Sequence, residues 1–436
     1  MAKKIILYLS DMRPDAQEEE YTCPDLSRVT GRQTNEAPVK YLLNKHPDAK
    51  QVICLVSPKA KETAWERFSG EIGRSCPGAE LLSIALEKEE SFINVTLARV
   101  LEQVQPGDEI LLETSGGLRN DVMDLLLLSR VLTYSGVKVA EAVYSNFGPK
   151  QVEDISHLIG LFDLVGGMQE LTSFGSVKVL KEYYAKSGKD PAVQSLIFAM
   201  ERLSDEILLC RTRKLDELME KFNRAMEEAE KSTDPFMKAL LPAFRAKFRD
   251  GLTLPGLILW CVDSNMLQQA LTIYKERVPG YILDPKNGIA RLKDHLPPIA
   301  KEFGYMDPAV QRFQDGVFRM GAKANWNVPW LRNNHVKEGN DDKRIAVLDQ
   351  FESLLPGSWF KVLCRPERFC EITMDYYYVW SLRNMVNHGN ENSQGSEQLA
   401  RYISERQNRK LPDDATAKDV RNILRKCVKN LDPSMK

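Results

Sequence analysis

No part of the chain is apolar for long. The longest unbroken aliphatic run, Leu125 to Leu128, falls far short of the ~20 residues that a membrane span requires, so no membrane attachment is expected. The basic start MAKKIILYLSDMRPD has a short apolar run that meets Asp11, Arg13 and Pro14. It reads as a first strand rather than a signal peptide. Charge of one sign is missing too: 60 Lys and Arg stand against 61 Asp and Glu, a formal charge of -1. That excludes a uniformly basic nucleic-acid coat and leaves room for a local basic site. Histidine is scarce. His46, His157, His295, His335 and His388 are all there are, so a multi-histidine metal site would use most of them, and no metal site is expected. The eight cysteines form no CxxC, and Cys364 and Cys370 have no second pair at metal-ligand spacing. They read as free thiols of a reducing compartment, and a cytoplasmic location is expected. Neither a Walker A motif nor GxGxxG occurs, which counts against a P-loop NTPase and a Rossmann dehydrogenase. There is no internal repeat and no low-complexity tract.

What is present is the composition of a globular chain: 436 residues, 43% hydrophobic and 28% charged, enough for two or three domains. Residues 1–175 alternate short apolar runs with helical patterns. Lys4–Leu9, Gln51–Val56, Glu80–Leu86, Glu109–Glu113 and Val137–Tyr144 read as strands. Helical stretches lie between them near 36–45, 60–73, 91–104 and 119–135. Near-continuous apolar strands separated by helices predict a parallel sheet covered on both faces, a Rossmann-like α/β domain that binds ligands beyond the carboxyl ends of its strands.

Residues 176–436 lose the strand signal and read as all-α. A helical period runs over 192–231 with a break around Arg211–Arg213. Further helices are expected over Gly256–Arg277, ended by Pro279-Gly280, over 366–388, and over Ala417–Leu431 with Thr416 and Asp419 as a capping box. Asn333–Lys343 and Gly389–Ser396 read as loops.

Two segments carry chemistry. The fourth strand runs into Thr114-Ser115-Gly116-Gly117-Leu118-Arg119-Asn120 and then a helix. Two glycines allow a tight turn and close approach to backbone N–H groups. The helix start adds orphan N–H groups, and Thr114, Ser115 and Arg119 add hydroxyls and a charge. The combination suits a phosphorylated ligand, although a plain capped connection has the same composition. Ser10 and Asp11, after the first strand, belong to the same sheet edge.

The second segment is Met374-Asp375-Tyr376-Tyr377-Tyr378-Val379-Trp380-Ser381-Leu382-Arg383-Asn384-Met385-Val386-Asn387-His388. Ile372, Tyr376, Val379, Leu382 and Val386 make one helical face, and Arg383 falls about 40° from its centre. A guanidinium there needs a partner or a solvated seam. Arg383 and His388 stand about 140° apart on an ideal helix. They converge if the last turn is distorted, or a two-fold partner brings its own copy alongside. An edge salt bridge and a histidine at the helix dipole would also account for the pair. The three tyrosines suit base stacking or, at helical spacing, a core.

These residues resemble a known family. Arg383-Asn384-x-x-x-His388 is similar to the R-x4-6-H signature of HEPN ribonucleases. Thr114-Ser115-Gly116-Gly117-Leu118-Arg119 looks like the glycine motif of CARF domains, and Trp260-Cys261-Val262-Asp263 with Gln268-Gln269-Ala270-Leu271 looks like a helix of the same group. The order resembles the accessory ribonucleases of type III CRISPR systems, the Csm-six and Csx-one group. The resemblance implies a homodimer whose CARF domain, 1–175, binds cyclic tetra- or hexa-adenylate as an allosteric activator, with no further cofactor. It implies a HEPN domain, 176–436, that cuts single-stranded RNA without a metal and leaves a 2′,3′-cyclic phosphate in antiviral defence. By position, Arg383 and His388 become catalytic with Asn384 in support. Ser10, Asp11, Thr114, Ser115, Gly116, Gly117, Arg119 and Asn120 become activator contacts. The competing reading is a nucleotide-sensing regulatory or binding protein whose helical domain is not catalytic.

Overall fold

A computed structural model describes residues 2–86, 95–117, 119–187, 190–232, 235–248, 251–294, 307–318, 345, 347–355, 359–388 and 397–435. The chain divides into two compact units, Met1–Asp163 and Leu164–Lys436. The division falls inside the helix Ser156–Phe174, upstream of residue 175.

The five apolar runs form strands close to where they are expected: β1 (Lys3–Tyr8), β4 (Ala49–Val56), β5 (Glu80–Ala85), β6 (Glu109–Glu113) and β7 (Lys138–Asn146). All five are parallel, in the order β5-β4-β1-β6-β7. This is the Rossmann arrangement, with the crossover direction reversing between β1 and β6. The sheet is mixed rather than wholly parallel, because three short strands extend one edge. β8 (Gln151–Asp154) runs antiparallel to β7, β2 (Glu19–Thr22) parallel to β8, and β3 (Arg28–Gly31) antiparallel to β2. These strands, EEYT, RVTG and QVED, are mostly polar and carry no apolar run.

Alternate residues of the central strands enter two cores. Ile5, Leu7, Val52, Cys54 and Leu111 pack on one face with Tyr41, Leu42 and Phe68. Ile6, Tyr8, Ile53, Leu55, Ile110 and Leu112 pack on the other with Leu125, Leu128 and Leu132. Burial on both faces explains why the strands read as unbroken apolar runs. Truncating one such residue to alanine typically costs ~2–5 kcal/mol.

The second unit is mainly helical. It is not all-α, since Ala290–Leu292 pairs antiparallel with Phe360–Val362. The period over 192–231 resolves into helices Pro191–Leu208 and Leu215–Ala229. The expected helix 256–277 is two helices, Leu254–Asp263 and Leu267–Leu283, broken where Asn265 takes a left-handed conformation, φ 59, which asparagine tolerates. Pro279 does not end the second helix but lies inside it. The last helix, Ala417–Leu431, starts with the full Thr416/Asp419 capping box. The loops expected at Asn333–Lys343 and Gly389–Ser396 lie outside the described residues, with Lys343 and Ser396 included. Among the described residues, no helix is long and apolar enough to cross a membrane.

Pro366–His388 is the central helix of the second unit. From Ile372 to Val379 every residue is buried, and Tyr376, Tyr377 and Tyr378 are each 0% exposed. A helix buried all round is a core helix, so the tyrosines form core rather than a base-stacking platform. Asp375 is also fully buried. It pairs with Arg409 and accepts hydrogen bonds from Asn430 Nδ2 (2.8 Å) and Gln407 Nε2 (3.2 Å). That satisfies a carboxylate whose unpaired burial would be costly.

Candidate functional site

The carboxyl ends of β1 and β6 are neighbours at the reversal point of the sheet, where Leu7 pairs with Glu113. Ser10 follows β1, and Thr114 to Gly117 follow β6. Ser10 Oγ accepts a hydrogen bond from Gly117 N–H at 3.2 Å, so the structure brings these two predicted segments together. Gly116 is possible only as glycine: a Cβ there would stand 1.8 Å from Tyr8 O and 2.5 Å from Asn35 Nδ2. Gly117 has φ +82, the left-handed conformation that glycine adopts without cost.

The hydroxyls of Thr114 and Ser115 are used internally. Thr114 Oγ1 donates to Val143 O (2.9 Å), and Ser115 Oγ accepts from Ser145 N–H (2.6 Å). Both tie the turn to β7. What the crevice offers outward is Gly117 and Asn120, both exposed, and the half-buried Ser10. Asp11 is exposed and pairs with Lys59. Leu118 and the side chain of Arg119 lie outside the described residues.

Three residues that no sequence motif marks organise this crevice. Asn35 is fully buried. Its Oδ1 accepts from Ser10 N–H (2.9 Å) and Gln33 Nε2 (2.8 Å), while its Nδ2 donates to Tyr8 O (3.0 Å) and to Glu113 Oε2. Gln33 Nε2 also donates to Ser10 O (2.8 Å). Glu113 Oε1 accepts from Ser115 N–H (2.7 Å). Each Glu113 oxygen faces a donor, the arrangement that an ionised carboxylate fits. Burial nevertheless pushes its pKa up to about 7, against the opposing pull of those hydrogen bonds. The signals were a carboxylate directly after the apolar run Ile110–Leu112 and an asparagine just before a helix.

Carboxylates also stand at the helix start. Burial raises the Asp124 pKa, with Asp121 adding to the effect, and Tyr8 OH lies 3.5 Å from Asp124 Oδ2.

In the second unit, the Pro366–His388 helix leaves the core at its last turns. Leu382 is buried, Arg383 and Asn384 are half-buried, and Val386 is 55% exposed. The backbone stays α-helical to His388, whose side chain lies outside the described residues. An unbroken helix sets the backbone positions of Arg383 and His388 about 140° apart around its axis. The other histidines stand apart from this helix end in sequence. His46 bonds Glu141 Oε2 at 2.8 Å and His157 is exposed. His295 and His335 lie outside the described residues. Among the described residues no three His, Cys, Asp or Glu gather in a way that could hold a metal, and the described cysteines are free thiols.

No protein-family model matches the chain, and no curated protein matches it. Among solved structures the chain is similar to Csm6 of Enterococcus italicus, solved bound to cyclic hexa-2'-fluoro-hexa-dAMP. The match has a TM-score of 0.41 and 10% identity, and covers 100% of this chain and 95% of that one. The chain's own architecture, an α/β sheet unit followed by a mainly helical one, has the order of parts that the CARF–HEPN resemblance implies.

Proposed function

We propose that the chain is a ligand-activated endoribonuclease of the CARF–HEPN kind, serving type III CRISPR defence in the cytoplasm. The observation that supports this most is the sheet's reversal point. It carries a glycine turn in which Gly116 admits no Cβ, in the same chain as a helix that emerges from the core at Arg383-Asn384 and ends at His388. In this reading a cyclic oligoadenylate of four or six nucleotides lies over Ser10 and the Gly116-Gly117 turn of a homodimer, each copy gripping half of the ring. The two helix ends, one from each copy, supply Arg383 and His388 to a shared cleft, since one straight helix holds them apart.

Cleavage uses the RNA's own 2′-hydroxyl as nucleophile. His388 takes the 2′-hydroxyl proton as the oxygen attacks phosphorus, and Arg383 stabilises the charge that builds on the phosphorane. The P–O5′ bond breaks, the 5′-oxygen takes a proton from water, His388 returns its proton to solvent, and the products are a 2′,3′-cyclic phosphate and a 5′-hydroxyl. The nucleophile is internal to the substrate, so the step requires no metal-bound water.

The test is incubation with labelled single-stranded RNA in EDTA, with and without cyclic tetra- or hexa-adenylate. Cleavage only with the ring, leaving cyclic-phosphate ends, is expected. Ring binding without cleavage would make the protein a nucleotide-sensing regulator instead. Restoration of cleavage only by a divalent ion would overturn the 2′-hydroxyl mechanism.

A further inference from the structure

The last helix has one buried face, formed by Val420, Ile423, Leu424, Cys427, Val428 and Leu431. Lys418, Arg421, Arg425 and Lys429 follow one another at spacings of three, four and four, which places them on one stripe away from that face. The stripe extends about 16 Å. Its two arginines reach a turn of the Trp260 segment: Arg421 Nη2 donates to Asn265 Oδ1 and Arg425 Nη2 to Asp263 Oδ1, each at 2.8 Å. Among the described residues, Lys418 and Lys429 pair with no carboxylate.

That turn borders a cavity of about 390 Å³ whose walls include Thr172, Phe174, Lys247, Trp260, Asp263 and Asn265. Phe174 is 69% exposed, an uncompensated aromatic surface at the cavity. Trp260 is buried, and its Nε1–H meets no acceptor among the described residues. An indole N–H buried without a partner is costly, and the Trp260 ring forms part of the cavity wall.

We propose that this cavity and the cationic stripe beside it bind one stretch of single-stranded RNA, apart in sequence from Arg383 and His388. Phe174 stacks a base at the cavity that Trp260 helps to wall. Lys418, Arg421, Arg425 and Lys429 follow the phosphates. An aromatic platform beside a cationic track is the chemistry of single-strand binding. A duplex keeps its bases stacked and cannot offer one to Phe174. An acidic peptide would use the stripe and leave the aromatic cavity unfilled. The inference rests on the ribonuclease reading and adds to it a site that holds the substrate.

The test uses the full chain carrying Arg383→Ala, expected to bind RNA without cutting it, and measures anisotropy of a fluorescein-labelled single strand over a salt series. Adding Phe174→Ala should weaken binding at least about fivefold. Adding Lys418→Glu with Lys429→Glu, both exposed positions, should weaken it and reduce the log–log salt slope by about 0.7 for each phosphate left without its lysine. Cyclic-adenylate affinity and melting temperature should stay unchanged. A 4-thiouridine strand should crosslink to the peptide bearing Phe174 or Trp260. If activated wild-type protein cuts RNA while both variants bind it with parental affinity and slope, the cavity proposal is wrong and the ribonuclease reading stands. If activated wild-type protein cuts no RNA, the ribonuclease reading falls and this inference with it. An acidic peptide displacing no RNA is expected; one that binds the stripe while RNA does not would overturn the proposal.

Discussion

The crevice of the first unit and the helix end of the second are built from different materials. At the crevice the described residues offered to a ligand are Ser10, Gly117 and Asn120, and the side chains that shape it, Asn35, Gln33 and Glu113, are buried beneath. At the helix end the groups of interest are side chains, carried where a core helix leaves the interior. The lesson concerns where substitutions act. In the first unit, changes that never touch a ligand should alter affinity. In the second, changes of the contacting groups should alter rate and leave affinity alone.

The largest effect should come from the helix end. Arg383→Ala or His388→Ala is expected to lower activated cleavage by ~10²–10⁴, the usual worth of a positioned acid–base or charge-stabilising group. Calorimetry with the cyclic adenylate should give wild-type affinity. Full cleavage by either purified variant would remove these residues from the site.

Gly116→Ala comes next. Its Cβ has no room beside Tyr8 O, so the turn must shift, and overpacking of this kind typically costs ~1–3 kcal/mol. Thermal stability and activator affinity should fall together. A variant with unchanged affinity would separate the turn from the ligand.

Protonation of Glu113 gives a smaller effect that depends on pH. Its pKa is raised from 4.5 to about 7, so the folded chain holds a proton that the unfolded chain releases between those values. The folded unit therefore binds more protons than the unfolded one in that window, and its stability falls as pH rises through it, with the loss complete above about 7. Glu113→Gln removes this proton. The stability difference, wild type minus variant, should decline between pH 4.5 and 7 by no more than ~1.4 kcal/mol per pH unit. Denaturant midpoints over that range measure it, and a flat difference would contradict the burial account.

Ser10→Ala should do least. It removes one acceptor, for Gly117 N–H at 3.2 Å, worth ~0.5–1.5 kcal/mol. A shift of severalfold in activator affinity with a fall of about a few degrees in melting temperature is expected.

The same contrast governs how much the amino-acid sequence disclosed. The central strands were readable because burial on both faces makes Ile5–Tyr8 and Ile110–Leu112 unbroken apolar runs. The short strands EEYT, RVTG and QVED were not, since single core residues such as Tyr21 and Val152 stand among polar ones and form no apolar run. The Gly116-Gly117 turn was visible as a motif. Its support was not, because Asn35 and Glu113 lie 78 positions apart and only the sheet order joins them. The periodicity of the Pro366–His388 helix marked one apolar face, yet Tyr377 and Tyr378, off that face, are equally buried. Position in the core, not spacing, decides that.

The most direct test of the division of labour is a titration of cyclic adenylate against the RNA cleavage rate in the wild type, Gly116→Ala and Arg383→Ala. The account predicts that Gly116→Ala needs more activator to reach half its maximal rate and recovers much of the plateau at saturation. Arg383→Ala should bind activator normally and reach no plateau. Loss of the plateau in Gly116→Ala with wild-type binding, or equal cleavage by the wild type with and without the ring, would contradict it.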